Sequence, residues 1–342
     1  MRRWFLVEPG NMRLEEVPVP IPRDSEVLVK VKVCGICGAD LQIYRGRHPI
    51  ARPPMIQGHE FCGTVAKLGS HVSEIEEEDR VVVEPSVPCG KCYNCSHGRY
   101  NICSDLSVIG GRGHDGALSE YVTVPGDKVM PLPDEISYEE GALVEPTAVA
   151  VHAVRLAEQE AKERVLVLGA GTIGLLVVQA ARTAGAREII VTDVVDYRLE
   201  KAISLGADKA MNPRSENINE VLDKEYGKDG IDTVYDCVGN QETVRQALEI
   251  ARRGTRIMMI GVPEEPVTLD LTNLQEGELE LRGSLMYLRA DFLKAIHLIR
   301  KREIKVTPLI THRFSLAQVQ DAFRLLTRRE EQALKVLIQV SQ

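Results

Sequence analysis

Four cysteines fall within fifteen residues as Cys89-x2-Cys92-x2-Cys95-x7-Cys103. Thiolates at that spacing can close a tetrahedron around one zinc ion. Gly90 and Gly98 permit the tight turns between them. Four thiolates leave no open coordination position, so the role expected is structural: a metal that orders a loop lacking a core of its own. An iron–sulfur cluster uses the same donors and spacing does not exclude it; four fortuitous thiols are the bland alternative. A second set is dispersed. Cys37 stands in CGICGAD, His59 and Glu60 in GHEFCG, and Glu145 in LVEPTAVAVHA. Singly each is weak, because a lone histidine is ordinarily a core or surface residue. Cys34 and Cys37 also read as a CxxC redox pair, but that motif belongs beside a thioredoxin-like βαβ pattern, and here it closes a β run. Together the four residues supply sulfur, nitrogen and carboxylate oxygen, the donor mix of a catalytic zinc with an open position.

A third stretch, Val165–Gly174 (VLVLGAGTIG), binds no metal but suggests a cofactor. A short branched apolar run leads into Gly169-x-Gly171-x-x-Gly174, and an amphipathic segment to Gly185 follows. In a strand–turn–helix, the first glycine makes the turn, the second admits a pyrophosphate and the third lets helix and strand pack closely. The helix N-terminus then faces the phosphates with free N–H groups. Asp193 lies 19 positions after Gly174. A carboxylate there hydrogen-bonds the adenosine ribose and repels a 2′-phosphate, which favours NAD over NADP. Its bland alternative is a helix-start residue.

The elements that position these groups follow from periodicity. Residues 1 to about 148 read as mostly β: Trp4–Val7, Glu26–Val33, Phe61–Leu68 and Arg80–Val83 alternate or carry β-branched runs between Pro and Gly punctuation. EVLVKVKV alternates strictly, so one face should be buried and the other wet. At about Thr147 the pattern changes. Ala148–Lys162 has helical spacing. Strands at Val165–Leu168, Glu188–Thr192, Ile231–Asp236 and Arg256–Ile260 then alternate with helices at Thr172–Gly185, Tyr197–Gly206, Ser215–Glu225 and Gln241–Arg253. Repeated βα predicts a doubly wound parallel sheet, with Leu279–Gly283 as one more strand. Helices at Asp291–Lys301 and Ala317–Thr327 and a terminal strand, Lys335–Val340, form a tail expected to return to the first domain.

With 342 residues, about two domains are expected. A hydrophobic fraction of 44% describes an ordinary globular chain, and a net charge of −8 argues against nucleic acid or an anionic membrane surface as partner. No run approaches the ~20 apolar residues of a membrane span, and MRRWFLVEPG is too short of apolar residues for a signal peptide. The expected compartment is the cytoplasm, where eight cysteines favour metal over disulfides.

Over its full length the chain resembles the zinc-dependent medium-chain dehydrogenase/reductase family. The resemblance rests on CGICGAD, GHEFCG, the four-cysteine lobe, LVEP and GAGTIG in that order. Glu145, where classical alcohol dehydrogenases place a third cysteine ligand, points to the polyol branch with sorbitol and threonine dehydrogenases. The resemblance implies an α/β chain: a GroES-like, mainly β catalytic domain in two pieces, 1–148 and 290–342, with a Rossmann domain inserted at 149–289. It implies two zinc ions per chain, one on Cys89, Cys92, Cys95 and Cys103 and one on Cys37, His59 and either Glu60 or Glu145, with Asp40 orienting His59. Cys37, His59, Glu60 and Glu145 would be the catalytic group. NAD would meet Gly169, Gly171, Ile173, Gly174, Asp193 and Arg198, with Ile260, Gly261 and Val262 near the nicotinamide. Zinc would lower the pKa of an alcohol oxygen so that its carbon can give a hydride to the nicotinamide. The substrate would be a secondary alcohol: a polyol, a sugar acid or a hydroxy amino acid. A homodimer or tetramer is implied as well.

This chain departs from the family at three places. Ala39 and Gln42 replace the usual proton-relay hydroxyl and histidine, which leaves Glu60 or Glu145 as the expected base. Tyr287 fits the substrate-gripping Arg-Tyr pair, but Met286 replaces the arginine; Arg289, Arg47 and His48 are alternative contacts. Two other readings compete. A redox-independent zinc hydrolase leaves GAGTIG and Asp193 idle; a non-catalytic dinucleotide sensor explains the missing relay.

Overall fold

The computed structural model describes residues 1–328 and 332–341, and the chain divides into two compact units. The first gathers Met1–Glu145, Leu288–Lys301 and the segment from Val306 onward. Its centre is the strand Glu26–Ile36, which pairs antiparallel with Glu60–Leu68, Tyr121–Pro125 and Lys335–Gln339. Arg80–Val83 and Val129–Pro131 extend the sheet on one side, and Ile310–Ser315, parallel to Lys335–Gln339, on the other. Alternation drives the packing. Val27, Val29 and Val31 turn inward onto Phe61, Val65, Val122 and Ile338, all buried; a fully buried valine contributes about 1.5–3 kcal/mol. Lys30 and Lys32 stay half-exposed as alternation requires, whereas Leu28 on their face is buried too.

The second unit, Pro146–Tyr287 with Arg302–Lys305, holds six parallel strands. Their order is Lys209–Met211, Glu188–Thr192, Arg164–Leu168, Thr233–Asp236, Arg256–Met259, Glu280–Gly283. In chain order that reads three, two, one, four, five, six. The order reverses between Arg164–Leu168 and Thr233–Asp236, the switch point at which such sheets bind ligands beyond their strand C-termini.

Sequence and structure differ at some elements. Asn11–Glu16, Tyr121–Pro125 and Lys209–Met211 are strands that periodicity does not reveal; the last has three residues, too short for a pattern. The helix expected at Ala148–Lys162 is Val144–Leu156. It starts earlier because Pro146 is tolerated in a first turn, where its missing N–H has no partner to lose.

Candidate active site

Cys37 follows the strand Glu26–Ile36 and caps the helix Gly38–Tyr44 in extended geometry. Its N–H donates to Asp40 Oδ2 at 2.9 Å, so an acid in the first turn fixes the backbone that carries the thiol. The other carboxylate oxygen of Asp40 lies 3.6 Å from His59 Nδ1, and Gln57 Nε2 donates to the Asp40 carbonyl at 2.9 Å. Asp40 is only 1% exposed. Ligand atoms of Cys37, His59 and Glu60 all lie within 4.8 Å of one another. Burial alone pulls the His59 pKa down; the Asp40 charge overrides it and holds it well above the ordinary value. His59 Nδ1 is buried without a hydrogen bond. With Nδ1 turned to Asp40, the other ring nitrogen is the one available as a donor atom.

Glu60 opens the strand Glu60–Leu68, directly opposite Gly35. A Cβ on Gly35 would sit 2.2 Å from Glu60 Oε2, so the first glycine of CGICG makes room for this carboxylate. Lys335 Nζ donates to Oε1 at 2.7 Å, to Oε2 at 2.5 Å and to the Ile36 carbonyl at 3.3 Å. Both partners are buried. Burial opposes the Lys335 charge, and Glu60 more than restores it, raising the pKa. Sequence reasoning missed Lys335. The available signal was a lone lysine opening an otherwise apolar terminal strand, ALKVLIQV. Glu145 is buried in the first turn of Val144–Leu156, near enough to Lys335 to raise its pKa, but is not among the three ligand atoms that converge.

The four-cysteine lobe converges as its spacing predicts. Cys89, Cys92, Cys95 and Cys103 bring their sulfurs within 4.8 Å of one another. Three of the sulfur–sulfur distances are 3.5, 3.7 and 3.5 Å, and no disulfide forms. Gly90 and Gly98 take positive φ, +73° and +70°, with open space around each, so conformation and not crowding calls for glycine. Backbone N–H groups of Cys95 and Ser104 bring the Cys92 thiol down to about 5, while burial helps push Cys95 up to about 12. Crowded thiols cannot all ionise unaided; a soft cation removes the conflict, so the donor set fits zinc.

In the second unit, the glycine turn joins Arg164–Leu168 to the helix Thr172–Thr183. Gly169 has φ +93°. A Cβ on Gly174 would lie 1.8 Å from the Gly169 carbonyl oxygen, whereas Gly171 faces open space. That is the division of labour a pyrophosphate turn needs. Asp193 ends beside it and is 9% exposed. One carboxylate oxygen accepts from Ala170 N–H at 2.8 Å and the other from Val195 N–H at 2.9 Å; Arg198 Nη1 lies 3.9 Å from it. The helix after it is capped by Val195, so Asp193 is not the helix-start residue. Ile173 and Arg198 are both half-buried. Ile260 and Gly261 N–H groups donate to the Asp236 carbonyl at 2.9 and 3.0 Å, which keeps Ile260-Gly261-Val262 at the C-terminal edge of the sheet. Tyr287 is fully buried, and Arg289 Nη1 donates to the Asp127 carbonyl at 2.6 Å.

Residues 23–134 match the alcohol dehydrogenase GroES-like domain and residues 172–301 the zinc-binding dehydrogenase domain. The chain belongs to the zinc-dependent medium-chain alcohol and polyol dehydrogenases, with their GroES-like and Rossmann units. It is 35% identical to sorbitol dehydrogenase of Bacillus subtilis, over 96% of this chain and 94% of that one. An Escherichia coli oxidoreductase/dehydrogenase of unknown specificity superposes with a TM-score of 0.95 at 33% identity, covering 100% of this chain and 99% of its own. An alcohol dehydrogenase from Escherichia coli CFT073, solved in complex with NADH, gives a TM-score of 0.91 at 33% identity over 99% of both chains.

Proposed function

We propose that this chain oxidises the secondary alcohol of a polyol or related hydroxy compound with NAD⁺, or reduces the ketone with NADH. The observation that carries the reading is the convergence of Cys37 with His59 and Glu60, from two separate stretches, within 4.8 Å. These residues would hold a catalytic zinc, and Cys89, Cys92, Cys95 and Cys103 a structural one. Bound there, zinc supplies Lewis-acid polarisation of an oxygen, and NAD⁺ supplies the hydride acceptor.

The chain's own residues do the rest. Asp40 fixes the His59 ring and the Cys37 backbone at once. Lys335 pins the Glu60 carboxylate, and Gly35 leaves it room. Glu60 or Glu145 takes the proton that Ala39 and Gln42 cannot pass on. Gly169, Gly171 and Gly174 cradle the dinucleotide phosphates, with Ile173, Arg198, Ile260, Gly261 and Val262 as further cofactor contacts. Asp193 favours NAD over NADP, supported by its acid at the end of the second strand, where a 2′-phosphate would meet its charge. The catalytic domain is assigned to 1–148 with 290–342 and the cofactor domain to 149–289. We place the enzyme in the cytoplasm as a homodimer or tetramer. Eight free cysteines suit a reducing compartment, and the largely exposed edge strand Glu280–Gly283 offers main-chain pairing to a second copy.

The test is zinc analysis with NADH production over a panel of polyols and hydroxy acids. Two zinc per chain and substrate-dependent NADH support the reading; zinc without NADH binding overturns it in favour of a hydrolase, and NADH binding without turnover in favour of a sensor. Replacing Glu145 by Ala in zinc-replete protein with no change in turnover or pH profile would remove Glu145 as base.

A further inference from the structure

The chain carries a net charge of −8, yet residues 41–58 contain Arg45, Arg47, His48 and Arg52 and no acid. Residues 106–114 contain Arg112 and His114 and again no acid. Both stretches pack on the Cys37–His59–Glu60 centre. The first leaves the helix that Cys37 caps, and the N–H groups of Arg47 and His48 fold back onto the Gln42 carbonyl at 2.8 and 3.2 Å. The second seats Gly110 on the residues just before His59, and Gly116 just beyond it does the same: a Cβ on Gly110 would lie 2.2 Å from the Gly58 oxygen, and one on Gly116 2.4 Å from the Gln57 oxygen. His48 feels the charges of Arg52, Arg112, Asp40 and His59, so these groups share one neighbourhood.

Three anions near these stretches have partners of their own. Asp40 is buried against His59 and the Cys37 N–H. Glu60 is neutralised by Lys335. Asp115, just after the second stretch, lies 3.7 Å from Arg3. Arg52 and Arg112 are anchored without being neutralised. Arg52 donates to the His48 and Ala51 carbonyls, and Arg112 to the Leu106 carbonyl; among the described residues neither meets a carboxylate. A guanidinium has five N–H donors, so most of each fork remains for a ligand. His48 Nδ1 accepts from Ile50 and Ala51 N–H at 3.2 and 2.9 Å. That places the proton on Nε2 and makes this nitrogen a donor.

We propose that Arg52 and Arg112, with His48 Nε2–H beside them, bind an oxyanion, and that the substrate is a hydroxy acid of the sugar-acid class. Its carboxylate docks on this rim while a secondary carbinol meets the Cys37–His59–Glu60 centre. The inference rests on the dehydrogenase reading above and narrows its substrate.

The experiment compares the zinc-loaded enzyme on matched aldonates, alditols and alditol phosphates, by NADH production and by calorimetric titration at two salt concentrations. The expected result is a kcat/KM for the best aldonate at least about tenfold above its matched alditol, as charge-assisted hydrogen bonds require, with KM rising as salt screens the rim. Arg112→Gln and Arg52→Gln should each cut the aldonate-to-alditol ratio by about tenfold. Unchanged zinc content and melting temperature would show that the fold survives. Equal or better turnover of the neutral alditol overturns the inference and leaves the dehydrogenase reading standing. Preference for the phosphate overturns the carboxylate assignment. Salt-sensitive aldonate binding that Arg112→Gln abolishes, with no turnover of any compound, keeps the anion site and removes the redox reading; neither binding nor turnover removes both.

Discussion

The cysteine lobe and the Cys37–His59–Glu60 centre differ in how far their ligands are drawn. In the lobe all four donors come from one stretch of fifteen residues, and two positive-φ glycines make its turns. In the mixed centre, the donors are set by strand register. Gly35 opposite Glu60 brings the Cys37 and His59–Glu60 stretches together, and Ile36 opposite Val336 adds Lys335, 275 positions from Glu60. The lobe's donors meet one another and backbone N–H groups of their own stretch. Those of the mixed centre are already engaged by protein groups: His59 by Asp40, Glu60 by Lys335. A closed thiolate set suits a metal that only orders a loop. A set whose carboxylate is held by a lysine suits a metal that must keep a position open.

Replacing His59 by Ala should break this contrast most sharply. It removes one of three converging donors and leaves the lobe untouched. NAD⁺ reduction should fall on the order of 10³-fold or more, since Lewis-acid polarisation is worth several kcal/mol, while zinc content drops from two to one per chain. Loss of both ions would show that the two clusters are not independent. Lys335→Met comes next. It leaves Glu60 buried without its cation, which costs about 3–5 kcal/mol. Chemical denaturation should show that loss, and Glu60→Gln added to it should recover much of the stability but not the turnover. The pH signature has a defined sign. The folded pKa of Lys335 is raised, so its stabilisation is full below the unfolded value near 10.4 and is lost as pH climbs through the higher folded value. A smaller effect is expected at the lobe. Cys92→Ser should release the structural zinc and lower Tm by roughly 5–10 °C, with turnover falling far less than in His59→Ala, because a closed set touches no substrate. Equal losses of turnover in the two variants would erase the distinction drawn here.

The same difference explains what could be read from the chain. The lobe was legible because spacing alone folds it. So were the glycine turn and five of the six parallel strands around it, because βα periodicity is local; the three-residue strand Lys209–Met211 was not. Cys37, His59 and Glu60 needed the family's order of motifs to be grouped. Their mutual placement depends on long-range register, which periodicity does not encode. Lys335 was invisible for that reason: only antiparallel pairing of the terminal strand with Glu26–Ile36 carries its ammonium to Glu60. Glu145 illustrates the reverse, a residue singled out by motif that does not join the three converging atoms.

Asp40→Asn makes the smallest change and the finest cut. The carboxylate serves two neighbours, one oxygen accepting from Cys37 N–H and the other facing His59 Nδ1. An amide has one acceptor oxygen, so it keeps the cap or the histidine contact but not both, and it carries no charge. Two effects on zinc then oppose each other. Without Asp40 the His59 pKa falls, so fewer protons compete for the ring, which favours the metal. The neutral imidazole also becomes a poorer donor and is held less firmly, which disfavours it. Outer partners of metal ligands are worth about 10–100-fold in affinity, so the second effect should win at neutral pH. Its margin should grow as pH rises, because proton competition fades in the wild type. In metal-free protein the sign is independent of zinc. The raised folded pKa of His59 stabilises below its unfolded value near 6.5 and loses that contribution as pH rises through the folded one. Asp40→Asn should therefore be less stable than wild type on the acid side, with the two curves converging at alkaline pH. A constant gap across the range would mean that Asp40 acts only through the Cys37 cap.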